Sequence, residues 1–95
     1  MTAPAPHGIG PEPALGGLWR GRICKGTVTA IAPFGAFVTV NGTKGLLRLP
    51  EIAREHIDHP SDVLRVGDEV TTEVLMVDLA RAQLILSRKA LLPDP

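Results

Sequence analysis

Phe34-Gly-Ala-Phe-Val-Thr-Val-Asn-Gly-Thr-Lys-Gly-Leu-Leu-Arg48 carries two apolar runs separated by Asn41-Gly42. A two-residue type I′ turn needs positive φ at both central positions, and Asn-Gly supplies them at low steric cost, so this stretch predicts a β-hairpin. Ala36, Val38 and Val40 alternate along its first arm, which places small and branched side chains on one face, as the inside of a narrow barrel requires. Phe37 and Thr39 then point the other way. Strict alternation would send Phe34 inward. A bulge at Gly35 would re-aim it and bring both rings to the outer face. The alternative is that one or both rings enter the core or pack beneath the N-terminal segment. The pair stands out because Trp19, Phe34 and Phe37 are the only aromatic residues in the chain.

Working outward, residues 20 to 32 are rich in β-branched side chains (Ile23, Thr27, Val28, Thr29, Ile31) and predict a first strand closed by Pro33. The second strand spans residues 34 to 40, and the third starts at Lys44 or Gly45 and ends near Leu49. Pro50, with acids just after it, predicts a short helix or 3₁₀ turn. A second short turn is expected at residues 61 to 64, capped by Ser61 or Asp62. A fourth strand over residues 69 to 78 follows the Val-Gly-Asp-Glu-Val turn, and a fifth spans residues 83 to 87. Three strands, a short helix, then two strands is an all-β arrangement, that of a five-stranded OB-fold barrel with the helix between strands three and four. Closure removes the exposed edges of a small sheet.

The 95 residues allow one domain. Residues 1 to 18 hold four prolines and four glycines without apolar periodicity, and predict a flexible tail. Residues 19 to 91 are the expected folded domain, and residues 92 to 95 a frayed C-terminus. A single cysteine, Cys24, rules out an internal disulfide and fits a reducing compartment. The N-terminus lacks the basic start and apolar centre of a signal peptide. No apolar run nears the roughly 18 residues of a membrane span. A cytoplasmic protein without membrane contact is expected.

The formal net charge is zero, which alone argues against a nonspecific nucleic-acid binder. The charges are segregated, however. Residues 19 to 48 carry Arg20, Arg22, Lys25, Lys44 and Arg48 and no acid, whereas residues 49 to 73 carry seven acids against Arg54 and Arg65. Such a chain can present one positive face. Outward aromatic rings on strands two and three of an OB barrel can stack on unpaired bases, beside cations that hold phosphates.

These features together are similar to the S1 RNA-binding domain family, a module of the largest protein of the small ribosomal subunit that recurs in polynucleotide phosphorylase and ribonuclease E. The resemblance spans residues 21 to 91. It rests on Gly-Thr-Val at 26 to 28, Phe-Gly-Ala-Phe-Val at 34 to 38, Gly-Leu-Leu at 45 to 47, Val-Gly-Asp-Glu-Val at 66 to 70 and Leu-Ser at 86 and 87. It implies an OB-fold that binds single-stranded RNA, with Phe34 and Phe37 as the stacking pair and Asp78 matching the aspartate that ends strand four. Two departures matter. Arg48 stands where the family often has histidine, and a guanidinium can both stack and pair with phosphate. Arg81-Ala82-Gln83 stands in place of Arg-Gly-Arg, so the second arginine becomes Gln83.

The expected RNA contacts are therefore Phe34, Phe37, Lys44, Arg48, Asp78 and Arg81, in a monomer. Expected partners are single-stranded RNA, the ribosome or RNA-processing enzymes, and single-stranded DNA. The alternative is an interaction module of the same fold that docks on protein. No nucleophile–base–acid set and no phosphate-cradling loop is present, so no enzymatic activity and no cofactor is expected. Glu55, His56, Asp58 and His59 cluster, but no second group of ligands accompanies them, and a solvated loop is the expectation rather than a metal site. Cys24 is expected as a strand residue and Trp19 as a cover on one end of the barrel.

Overall fold

The computed structural model describes residues 13 to 93. Residues 1 to 12 of the expected tail and residues 94 and 95 of the expected C-terminal end lie outside the described residues. Two short strands, β1 (Ala14–Leu15) and β2 (Leu18–Trp19), form a hairpin. The Gly16-Gly17 turn between them has positive φ at both residues. Five longer strands follow: β3 (Ile23–Ala32), β4 (Gly35–Val40), β5 (Thr43–Arg48), β6 (Glu69–Asp78) and β7 (Gln83–Ser87). They close in the order β3-β4-β5-β7-β6, with β5 and β7 parallel and every other pair antiparallel. This is the expected OB barrel.

The hairpin predicted at Asn41-Gly42 joins β4 to β5. Both residues have positive φ, 50° and 76°, and Val40 pairs with Thr43 across the turn. Alternation then fills the barrel. Ala36, Val38 and Val40 of β4, Leu47 of β5, Val74 of β6, and Leu84 and Leu86 of β7 form the buried core. Their burial, at roughly 25 cal/mol per Å² of apolar surface removed from water, is the main force holding the closed sheet.

The connection from β5 to β6 holds no α-helix. It contains two single 3₁₀ turns, Leu49–Glu51 and Pro60–Asp62. Pro50 is the second residue of the first turn and Pro60 the first residue of the second, positions where the missing N–H is not needed. The first turn delivers Ile52, fully buried, into the core. The second is capped by His59 rather than by Ser61 or Asp62: its Nδ1 accepts from the Ser61 N–H at 3.1 Å, and the Asp62 carboxylate accepts from the His59 N–H at 3.2 Å. His56 meets Asp58 at 2.9 Å. The histidine-containing loop is thus engaged in local hydrogen bonds. No helix among the described residues is long and apolar enough to cross a membrane.

Leu18 is buried at 3% exposure, and Trp19 beside it is half-buried under the Arg22 guanidinium, 4.9 Å from the ring centroid. One local expectation needs correction: Gly35 is not a bulge. It pairs in register with Ala32 on one side and Arg48 on the other. Its role is close approach: a Cβ there would collide with the Leu47 carbonyl and lie 2.9 Å from the Arg48 Cα. The bulge lies across the ladder on β3, between Val28 and Ala30, where Thr29 donates from its hydroxyl to the Phe37 carbonyl at 3.3 Å.

Candidate nucleic-acid interface

Phe34 belongs to the tight Pro33-Phe34 turn that joins β3 to β4, since Ala32 pairs with Gly35. A turn does not obey strand alternation, and this is what frees Phe34 from the inward face. Its carbonyl accepts the Leu49 N–H at 2.9 Å, which extends the β4–β5 ladder and fixes the turn. Its ring is 56% exposed. Phe37, three residues on, is half-buried and lies on the outer face of β4, opposite Leu46. The rings meet edge to face, 5.9 Å between centroids and 86° between planes. That geometry suits the aromatic quadrupole.

Three outward rows surround the pair. In the first, Arg48 stands opposite Gly35, beside the Phe34 turn. The second runs Phe37, Leu46, Ile85, Met76 across β4, β5, β7 and β6. The third runs Thr39, Lys44, Gln83, Asp78 across the same strands. The sheet therefore brings five of the six expected contact residues onto one continuous outer face. Arg81, on the β6–β7 turn, joins through Asp78, which accepts from its guanidinium and from its backbone N–H, both at 3.1 Å. The Arg81 side-chain hydrogen bond, followed by its backbone hydrogen bond, holds the Asp78 carboxyl below its ordinary value of 3.8.

The cations divide. Lys44 and Arg48 are exposed on the face and have no ion-pair partner among the described residues. Arg81 is paired with Asp78. Arg22 lies over Trp19, and Lys25 stands opposite Thr71 of β6, the strand that also carries Glu69 and Glu73. Of the five cations of residues 19 to 48, only Lys44 and Arg48 belong to the β4–β5 face, both on β5. The acidic turn at Pro60–Asp62 packs against β3 rather than against this face.

Three residues of the face escaped sequence reasoning: Leu46, Ile85 and Met76. Their outward parity is legible from alternation within each strand. Their alignment into one row with Phe37 depends on the parallel β5–β7 pairing, which no local signal announces.

The family model for the S1 RNA binding domain matches residues 20–89. The chain belongs to the S1 RNA-binding domain family. Among proteins, it is 52% identical over 81 residues to small ribosomal subunit protein bS1 of Mycobacterium tuberculosis, covering 85% of this chain. It spans only 17% of that relative's length. Among solved structures, it is similar to GSP13 from Bacillus subtilis, with a TM-score of 0.72, 33% identity, and coverage of 79% of this chain and 60% of that one. A further match is the a/eIF2alpha–aDim2p–rRNA complex from Pyrococcus horikoshii, with a TM-score of 0.72, 25% identity, and coverage of 77% of this chain and 45% of that one. The S1 module here is an OB barrel whose β3–β4 turn and β4 strand carry the aromatic pair.

Proposed function

We propose that the chain binds single-stranded RNA, as a monomer, on the outer face of β4 and β5. Phe34 and Phe37 stack unpaired bases, Lys44 and Arg48 hold phosphates, and Asp78 and Arg81 form the rim. The observation that carries this reading is the edge-to-face aromatic pair standing outside the barrel, with Phe34 56% exposed, beside two exposed cations without ion-pair partners among the described residues. Base stacking on such rings is worth about 1–3 kcal/mol per base and tolerates any base. No side chain of the face is committed to a 2′-hydroxyl, so single-stranded DNA is an expected second ligand. Kinship with ribosomal protein bS1 supports a cytoplasmic role beside the ribosome or an RNA-processing enzyme.

A protein-docking reading draws on one observation. The apolar row continues past the cations to Met76 at 51% exposure, with Leu79 at 57% just beyond β6. The discriminating experiment is a fluorescence-anisotropy titration with short unstructured RNA and DNA at two salt concentrations. Neutralising two or three phosphates predicts a slope of log K against log salt of about −1.4 to −2.1. No binding at low salt would favour docking on protein.

A further inference from the structure

Trp19-Arg-Gly-Arg22 forms a tight turn between β2 and β3, outside the β4–β5 face. The Arg22 N–H donates to the Trp19 carbonyl at 3.0 Å, and Gly21, third of the four, has a φ of 92°. Positive φ at that turn position favours glycine. A Cβ on Gly21 would meet no atom within 4 Å, so the backbone angle rather than space calls for glycine. β6 pins the turn from one side. The Gly21 N–H donates to the Val74 carbonyl at 2.7 Å, and the Val74 N–H donates to the Arg22 carbonyl at 2.9 Å. Leu18, buried just before the turn, anchors its start.

This backbone folds Arg22 back over the indole of Trp19. A guanidinium stacked by its face keeps its N–H edge for a bidentate partner. Held in place, it also has less side-chain freedom left to lose on binding. Arg20 is exposed at the second position of the same turn. Neither arginine has an ion-pair partner among the described residues. Glu73, opposite Ile23 on β6, makes no ion pair with either. Two cations are thus fixed side by side with no acid to neutralise them.

We propose that the Trp19–Arg22 turn is a second phosphate-binding site, which takes the backbone of a single-stranded RNA long enough to pass beyond the aromatic face. The row from Phe37 to Met76 crosses β4, β5, β7 and β6, and the turn is the next element past β6, bonded at Val74, two residues before Met76. Repeating phosphates let one strand engage the face and both arginines. Base stacking has no part at the turn, because Arg22 covers the indole. The inference rests on the RNA-binding reading above.

The test uses unstructured RNAs of four and twelve nucleotides, the lower and upper parts of the span that one OB barrel covers, about 4–16 nucleotides. For wild type, log K against log salt is expected to be steeper with the twelve-mer by about 1.4, two phosphates at about 0.7 each. Arg20→Ala and Arg22→Ala should each remove about 0.7 of that slope from the twelve-mer and leave the four-mer titration unchanged. Arg20→Ala is the cleaner variant, because Arg22→Ala also uncovers Trp19. Arg20→Lys should restore the slope, and Arg65→Ala is the control that should not alter it. A twelve-mer slope unchanged in both alanine variants would overturn the assignment while leaving RNA binding intact. An equal loss on the four-mer would overturn it too, since the arginines would then act through the aromatic face. Oligoglutamate that displaces the twelve-mer from wild type, but not from the Arg20→Ala/Arg22→Ala double variant, would assign the turn to an acidic protein instead. No binding of the twelve-mer to wild type at low salt would remove the RNA-binding reading, and this inference with it.

Discussion

The rings of Phe34 and Phe37 meet edge to face outside the barrel, 5.9 Å apart, although their spacing in a regular strand would put them on opposite faces. The turn at Pro33-Phe34 resolves the conflict: Phe34 precedes β4, so only Phe37 is bound by its alternation. Exposure separates the two. Phe34→Ala is expected to change stability little, because the ring is already 56% exposed, and to weaken RNA binding about 5- to 100-fold. Phe37→Ala, half-buried against Leu46, should lower both stability and affinity. Thermal melts alongside anisotropy titrations check the split.

Lys44 and Arg48 act through phosphate. Each replaced by alanine should reduce the steepness of log K against log salt by about 0.7, with little change in preference between sequences. Arg65→Ala, away from the face, should leave the slope unchanged. Titrations of each variant at several salt concentrations read this directly.

Gly35 keeps β4 and β5 in contact where the aromatic turn begins. Gly35→Ala would push a methyl into the Leu47 carbonyl and the Arg48 Cα, backbone that cannot swing aside. A loss of about 1–3 kcal/mol is expected, or a melting temperature lower by roughly 4–8 °C for each kcal/mol. Gly42→Ala meets no neighbouring atom, and its cost comes only from its φ of 76°. Thermal denaturation of the two variants compares crowding with backbone strain.

Asp78 supplies a pH test. Its carboxyl is held below 3.8 in the fold by Arg81, so the pair's contribution is full at neutral pH, above the unfolded chain's value. It is lost progressively as pH falls from that value through the lowered folded one. A carboxyl NMR titration should place the Asp78 midpoint below 3.8, and Arg81→Met should move it upward. An Asp78 midpoint unaffected by that substitution would mean that the Arg81 hydrogen bonds do not set it.

Much of this was legible in the chain. Alternation and turn chemistry specify β6 and β7 to the residue, and Asn41-Gly42 specifies the β4–β5 turn, because each signal is local. The β1–β2 hairpin escaped because two-residue strands show no period, although Gly16-Gly17 marks its turn. Phe34 faces outward because it lies in the turn before β4, not because Gly35 bulges. A glycine in a strand can mean a bulge or a close approach, and only the packed neighbour, here Leu47, distinguishes them. Gln83 read as a lost cation. Its burial is a tertiary fact that depends on Lys44 and Asp78 flanking it from two other strands.

The central claim is that the outward aromatic pair receives bases. With only two phenylalanines in the chain, the ring ¹H–¹³C signals of Phe34 and Phe37 can be followed separately while unstructured RNA is added. Stacking predicts that both sets move upfield together and saturate with the binding isotherm. Ring signals that stay in place while RNA binds would contradict it.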